Sequence, residues 1–478
     1  MNNDVIKYFR EISEIPRGSG NEKGISDYLV NFAQEHGLDY VQDEALNVII
    51  KKKASQGYEE RPKVVLQSHM DMVCEKNEGT EHDFTKDSIS LKIAGDMIYA
   101  DGTTLGADNG IGVAMGLAVL ASYDRSHPGL EALFTTDEER GMKGAEDLDP
   151  EMIEGRILIN IDSDQEGEFF VSCAGGAAVI TSIPLIWEKA NANMTAYAIR
   201  IRGLLGGHSG SDIDKGRANS NKLMGRILKE LETKFEFSMA SLSGGMMYNA
   251  IPREADAVIL IRPEDRTAVS ESIAEMEGIF RNEYRISDTD IEVVFETDSE
   301  SATKVFSQYA KTLAINYLYL AETGINTMSP SISGLVESST SLGVVRTEAG
   351  SVDFTSLIRS SVNTLHKELL IRLETLAEFT GADVRILSDC PLWEYNPDSK
   401  IRKLFERVYS RLYNREAEAA AIHVGLECGI FDEKFNGEMD MISFGPDVYE
   451  YHTPDEHFSI SSAERSFGFL SEVLKEIE

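Results

Sequence analysis

Five stretches of the sequence offer imidazole or carboxylate groups beside apolar runs. In LQSHMDMV, His69 and Asp71 are two residues apart on an extended segment, so both side chains point the same way. A histidine with a carboxylate beside it fits a metal ligand and the group that orients it. It also fits a surface histidine after a strand. In YADGTTLGADNGIGVAMG, Asp101 and Asp108 lie in a glycine-rich turn that runs into a buried helix. Asp108 is there an oxygen ligand at a helix start, or Asp108 or Asn109 is an N-cap, the reading that spacing alone favours. In LFTTDEERGMKG, Asp137, Glu138 and Glu139 are adjacent acids that repel one another unless a cation joins them. With a metal, one binds and a neighbour stays free as a base; without one, they mark a solvated turn. Asp162 ends the apolar run ILINID, where a plain loop aspartate would also serve. His452 and His457 stand in the polar turn YEYHTPDEHF, where two surface histidines are the alternative. The coincidence of these segments weighs more than any one of them. Carboxylates with imidazole suit Zn²⁺, Mn²⁺ or Co²⁺, not a cysteine-based structural zinc.

These groups need elements to position them. KVVLQ (63–67), EALFTT (131–136) and RILINI (156–161) read as short buried strands. They alternate with helices: one with Val5, Ile6, Phe9 and Ile12 on one face, one near 21–36, and the apolar segment Gly110–Ser122. That alternation predicts an α/β architecture with a largely parallel sheet, which places ligand sites beyond the strand carboxyl ends. The middle, from about Pro184 to Cys390, reads as a separate unit. It has strands TAYAIRIRG, DAVILIRP and IEVVFE, and helices near 216–233, 267–285 and 303–320. After it come a helix at 399–413, a strand at MISFG and a final helix at 461–477.

Composition excludes several classes. Asp and Glu number 81 against 46 Lys and Arg, a net charge of −35, which argues against a nucleic-acid backbone or an anionic membrane as partner and favours cations. The apolar segment Gly110–Ser122 falls short of the ~18 residues that span a bilayer. The N-terminal stretch carries charges throughout and lacks an apolar signal core. Cys74, Cys173, Cys390 and Cys428 are far apart and form no CxxC, so they read as thiols in a reducing compartment. The expectation is a soluble cytoplasmic protein.

Six ordered segments together carry a resemblance: SHMDMVCEKN, DGTTLGADNGIG, TTDEERGMKGAEDL, NIDSDQEGEFFVSCAGG, GGHSGSDIDKGRANSNKL and FGPDVYEYHTPDE. The sequence closely resembles, over nearly its whole length, the cytosolic non-specific (aminoacyl-histidine, or Xaa-His) dipeptidases of the co-catalytic zinc peptidase clan. The resemblance implies a catalytic domain of residues 1–183 and 390–478, with a mixed, largely parallel sheet flanked by helices. It implies an inserted α+β lid and dimerisation domain at 184–389, hence a homodimer. It implies two Zn²⁺ per subunit, with Mn²⁺ or Co²⁺ as substitutes: one held by His69 and Asp162, the other by Glu139 and His452, with Asp108 bridging them and a cis Asp108–Asn109 peptide. Asp71 would orient His69, and Glu138 would be the general base. His208 would reach a dimer partner's site and steady the oxyanion. Asn249 and Arg359 would contact the substrate at its carboxylate, and His423–Phe431 is a further candidate substrate wall. The implied activity is hydrolysis of unblocked dipeptides, carnosine-like Xaa-His substrates included. The alternatives are an aminoacylase or a tri- or oligopeptide exopeptidase of the same clan, and a non-catalytic peptide-binding relative.

Overall fold

A computed structural model of the chain describes residues 4–298 and 302–478. The chain forms two compact units: Met1–Cys173 with Tyr395–Ala421 and Leu426–Glu478, and Ala174–Glu394 with Ile422–Gly425.

The first unit is built on an eight-stranded mixed sheet. At its centre, Leu130–Thr135, Val64–His69, Ile157–Asn160 and Asp440–Ser443 run parallel. Strands Val64–His69 and Leu130–Thr135 are buried along their whole length, as β-branched and aliphatic residues between two helical layers must be. The pairing register sets His69 opposite Thr135, and Gln67 and Ser443 opposite Asn160, so the strands end along one edge. The helix Ala107–Ala121 packs on Val64–His69 and on the helix Asp4–Ser13, which buries Val5, Ile6, Phe9 and Ile12. Each such fully buried side chain contributes about 1.5–3 kcal/mol, which makes a firm platform for the strand ends.

The second unit is an antiparallel sheet whose long strands Gly175–Pro184, Val336–Thr347 and Ser351–Ser360 lie near one side. Helices Ser220–Lys234, Arg266–Glu283, Gln308–Leu320 and Asn363–Thr380 accompany it. The first of these buries Leu223, Met224, Ile227, Leu228 and Leu231, one apolar stripe at helical spacing. Two helix starts differ from the sequence expectation. Asn219 caps the first, its Oδ1 accepting from Lys222 N at 3.2 Å, so the helix begins at Ser220 and not at 216. Ser307 caps Gln308–Leu320 in the same way, and Lys304–Phe306 is a strand paired with Trp187–Lys189. The segment Gly175–Pro184 falls with this unit because it pairs along its length with Ser351–Ser360. Among the described residues, no helix is long and apolar enough to cross a membrane.

Candidate metal centre

The strand ends and loops of the first unit bring His69, Asp71, Asp108, Glu138, Glu139, Asp162 and His452 together. His69 is the last residue of its strand and is fully buried. Its Nε2 lies 3.0 Å from Asp108 Oδ1 and 3.5 Å from Asp162 Oδ1, and its Nδ1 lies 3.3 Å from Asp71 Oδ1. Asp108 turns its other oxygen, Oδ2, to His452 Nε2 at 3.3 Å, and His452 Nε2 also lies 3.0 Å from Glu139 Oε2. Two three-donor groups result, His69–Asp108–Asp162 and Asp108–Glu139–His452, and they share Asp108. Two other groupings, His69–Glu138–Glu139 and Glu22–Asp71–Asp137, are as close.

Local sequence explains the placement. Asp108 and Asn109 have non-helical backbone angles within the first turn of Ala107–Ala121, and their peptide bond is cis. Asn109 Oδ1 accepts from Gly112 N at 3.1 Å, so Asn109 does the capping and Asp108 is left to face the two imidazoles. Asp71 is buried and accepts from Ser19 Oγ at 2.7 Å, Glu138 N at 3.1 Å and Glu139 N at 3.3 Å. It therefore ties the 138–139 turn to His69. His457 is not among the donors: its ring stacks between Tyr99 and Tyr449. Asp101 is an exposed partner of Lys92.

The electrostatics are those of a cation site. Burial opposes charge on His69, but Asp162, Asp108 and Asp71 overcome it and hold its pKa well above the ordinary value. Contacts with Asp108 and Glu139 push His452 up to about 10. Burial also works against charge on Asp108, yet His452 and His69 hold its carboxyl well below the usual range. Asp162 goes the other way, pushed well up by burial. Glu138 is pushed up to about 8 by burial, opposed by His69 and reinforced by Glu427, Glu139 and Asp108. Crowded, desolvated carboxylates with imidazoles between them would be neutralised by a divalent ion, which would reverse the upward shifts of His69, His452, Asp162 and Glu138 and reinforce the downward shift of Asp108. The donor set thus fits the implied metals: hard oxygens plus imidazole, with no thiolate.

Three nearby residues were not singled out individually by the sequence. Arg17 and Glu456, both buried, hold backbone around Asp108. Glu427 is buried, accepts from Thr135 Oγ1 at 2.9 Å and from Gln67 Nε2, and is pushed up to about 7 by burial. Glu427 stands in the segment already marked as a substrate wall. Arg17 and Glu456 were visible only as single charges in IPRGSG and HTPDEHF.

The second unit gathers the other expected residues. Gly207–His208 pairs with Ala250–Ile251, which sets Asn249 beside His208, and Asn249 O accepts from Ser209 N at 2.9 Å. His208 Nδ1 accepts from Gly210 N and Ser211 N at 3.3 and 3.2 Å, so the proton sits on Nε2. Gly210 is required there: a Cβ would stand 2.6 Å from His423 O. Arg359 pairs in register with Ser339, whose Oγ lies 2.7 Å from His423 Nε2. Arg359 Nε has no hydrogen-bond partner, burial lowers its pKa, and the groups that pull on its charge are Cys390 and Tyr248, not carboxylates. Such a guanidinium is suited to receive an anion.

Comparison with known proteins gives a consistent picture. Residues 65–476 match the model of peptidase family M20/M25/M40. The chain is 36% identical over 469 residues to the cytosol non-specific dipeptidase of Escherichia coli (strain K12), covering 98% of this chain and 96% of that relative. The crystal structure of aminoacylhistidine dipeptidase from Vibrio alginolyticus superposes with a TM-score of 0.94 at 37% identity, covering 100% of this chain and 97% of that one. A Staphylococcus aureus tripeptidase shares the fold alone, with a TM-score of 0.56 at 17% identity over 99% of this chain and 98% of its own.

Proposed function

The chain belongs to peptidase family M20/M25/M40 and is a dipeptidase of that family, and on this premise we propose that it cleaves unblocked dipeptides at a centre of two divalent cations. His69 and Asp162 would hold one, Glu139 and His452 the other, with Asp108 shared. The observation that carries this reading is the Asp108 carboxylate, whose two oxygens face two different imidazoles. When bound, such cations polarise the scissile carbonyl and make water a nucleophile at neutral pH.

The chain's own residues do the rest. Asp71 lies against His69 Nδ1 and keeps Nε2 turned to the donors. Glu138 takes a proton from the attacking water and returns it to the leaving amine. Burial favours its protonated form and bound cations its carboxylate form, so it can exchange a proton near neutral pH. His208, whose pKa is lowered by burial and then by Arg359, offers Nε2–H to the developing oxyanion. Arg359 would take the substrate's terminal carboxylate with its planar fork, with Asn249 beside it.

The second unit would act as lid and dimerisation domain, with His208 serving a second copy's centre. Exposed Leu205, Met246 and Met247, next to the His208 and Asn249 turns, support a covered surface there. The name of the Escherichia coli relative supports a cytosolic workplace, and that of the Vibrio relative supports Xaa-His substrates.

Metal analysis of the purified protein with a panel of dipeptides, tripeptides and N-acetyl amino acids tests the reading. The expected result is two divalent ions per chain, cleavage of dipeptides, and loss of cleavage on demetallation. Protein without bound metal that cleaves as fast as the loaded form would reject it.

A further inference from the structure

The segment Leu105–Asp108 leads into the helix Ala107–Ala121, and besides the Gly110 N–Gly106 O bond of that first turn it is held by side chains from distant parts of the chain. Glu456 Oε2 accepts from Leu105 N at 2.7 Å and Gly106 N at 2.8 Å, and its Oε1 accepts from Asp108 N at 3.1 Å. From the other side Arg17 Nη2 donates to Gly106 O, while Nη1 donates to Met70 O and Asp71 O, both at 3.1 Å. Arg17 and Glu456 are each only 2% exposed. Burial lowers the Arg17 pKa, and Glu456 is the first of the charges that restore it. Gly106 completes the arrangement: its φ is +69°, and a Cβ would stand 2.5 Å from Arg17 Nη2.

The chain positions make this more than local packing. Met70 and Asp71 directly follow His69, Gly106 lies two residues before Asp108, and Glu456 lies four after His452. One pair of opposite buried charges therefore joins the three segments that carry His69, Asp108 and His452, while neither side chain is in a donor group containing those residues. Buried charge pairs contribute little net stability compared with well-packed apolar residues. What they add is a fixed geometry, because every hydrogen bond here has a defined direction.

We propose that Arg17 and Glu456 are a positioning pair, which fixes the Leu105–Asp108 backbone so that the two Asp108 oxygens face both metal subsites. Neither residue touches substrate. The inference rests on the two-cation reading, and the experiment separates the two. Metal affinity is measured by chelator competition on wild type, Glu456→Gln and Arg17→Lys, together with kcat, KM and thermal midpoints of demetallated and loaded protein. Gln keeps one acceptor oxygen but turns an NH₂ toward backbone N–H groups. Lys keeps the charge but cannot span all three carbonyls.

The expected result is folded variants whose metal affinity falls about 10–100-fold, the range typical of partners behind metal ligands. The metal-induced rise in midpoint shrinks, kcat falls, and KM stays within about twofold. Glu456→Asp recovers part of the affinity because it keeps the charge. Variants that bind metal as tightly as wild type, or that lose midpoint equally with and without metal, would overturn the proposal. So would failure of every variant to fold, which would make the pair a folding element. Wild type that binds no metal would instead overturn the two-cation reading.

Discussion

The site histidines of the two units respond to their surroundings in opposite directions. In the first unit His69 and His452 sit among carboxylates, and their pKa values are raised, that of His452 to about 10. In the second unit burial lowers His208 and His423, with Arg359 adding to it, and His423 falls to about 3. The same side chain is a seat for positive charge in one place and a neutral hydrogen-bond group in the other. The net charge of −35 averages over this difference and hides it. Under the proposed reading, one unit would collect cations and the other would receive an anionic or developing oxyanionic group.

The contrast can be broken at three points. Glu138→Ala should have the largest effect. It removes the proton carrier from the cation side, so kcat should drop about 10²–10⁴-fold while bound metal and the thermal midpoint persist. Near-normal turnover with dipeptides would remove Glu138 from the mechanism. Next, His208→Ala deletes a neutral donor of the second unit. We expect about a hundredfold loss in kcat with metal content unchanged; loss of metal instead would show that the two units do not divide the labour in this way.

The smallest effect concerns His423 and stability. Its folded pKa lies near 3, below the ordinary 6.5, so the unfolded chain binds more protons between those values. Stability from this group is complete above pH 6.5 and is lost as pH falls toward 3. His423→Gln should therefore flatten the pH dependence of denaturant unfolding in that window. For the demetallated protein, His452 has the opposite sign: its contribution is complete below pH 6.5 and is lost as pH rises through about 10. A His423→Gln protein with an unchanged acid limb would remove His423 as a buried neutral group.

Much of this was legible in the sequence. Apolar strands ending in His69, Thr135 and Asn160 could be read because β-branched runs and terminal polar residues keep their meaning out of context. The residues that meet around Asp108 were legible as a set, because most of them stand at the end of a strand or the start of a helix. Arg17 and Glu456 were not, because they bond to backbone groups, and any residue supplies those. Glu456 reaches Leu105 across 351 positions, a separation at which periodicity says nothing. His452 and His457 look alike in the sequence, and it is the pairing of His457–Ser459 with Met97–Ala100 and with Val448–Tyr449 that sets the second between two tyrosine rings. Helix starts shifted because Asn219 and Ser307 capped later turns than the apolar pattern suggested.

The path of the chain has a practical consequence. It enters the second unit twice, once for Ala174–Glu394 and again for four residues, Ile422–Gly425. Those four include His423, the neighbour of Ser339 and of the Gly210 turn. A graft that moves only the long segment onto another scaffold would carry Arg359, His208 and Asn249 but leave this imidazole behind. A chimera that is to keep the second unit whole must therefore exchange two pieces of chain at once.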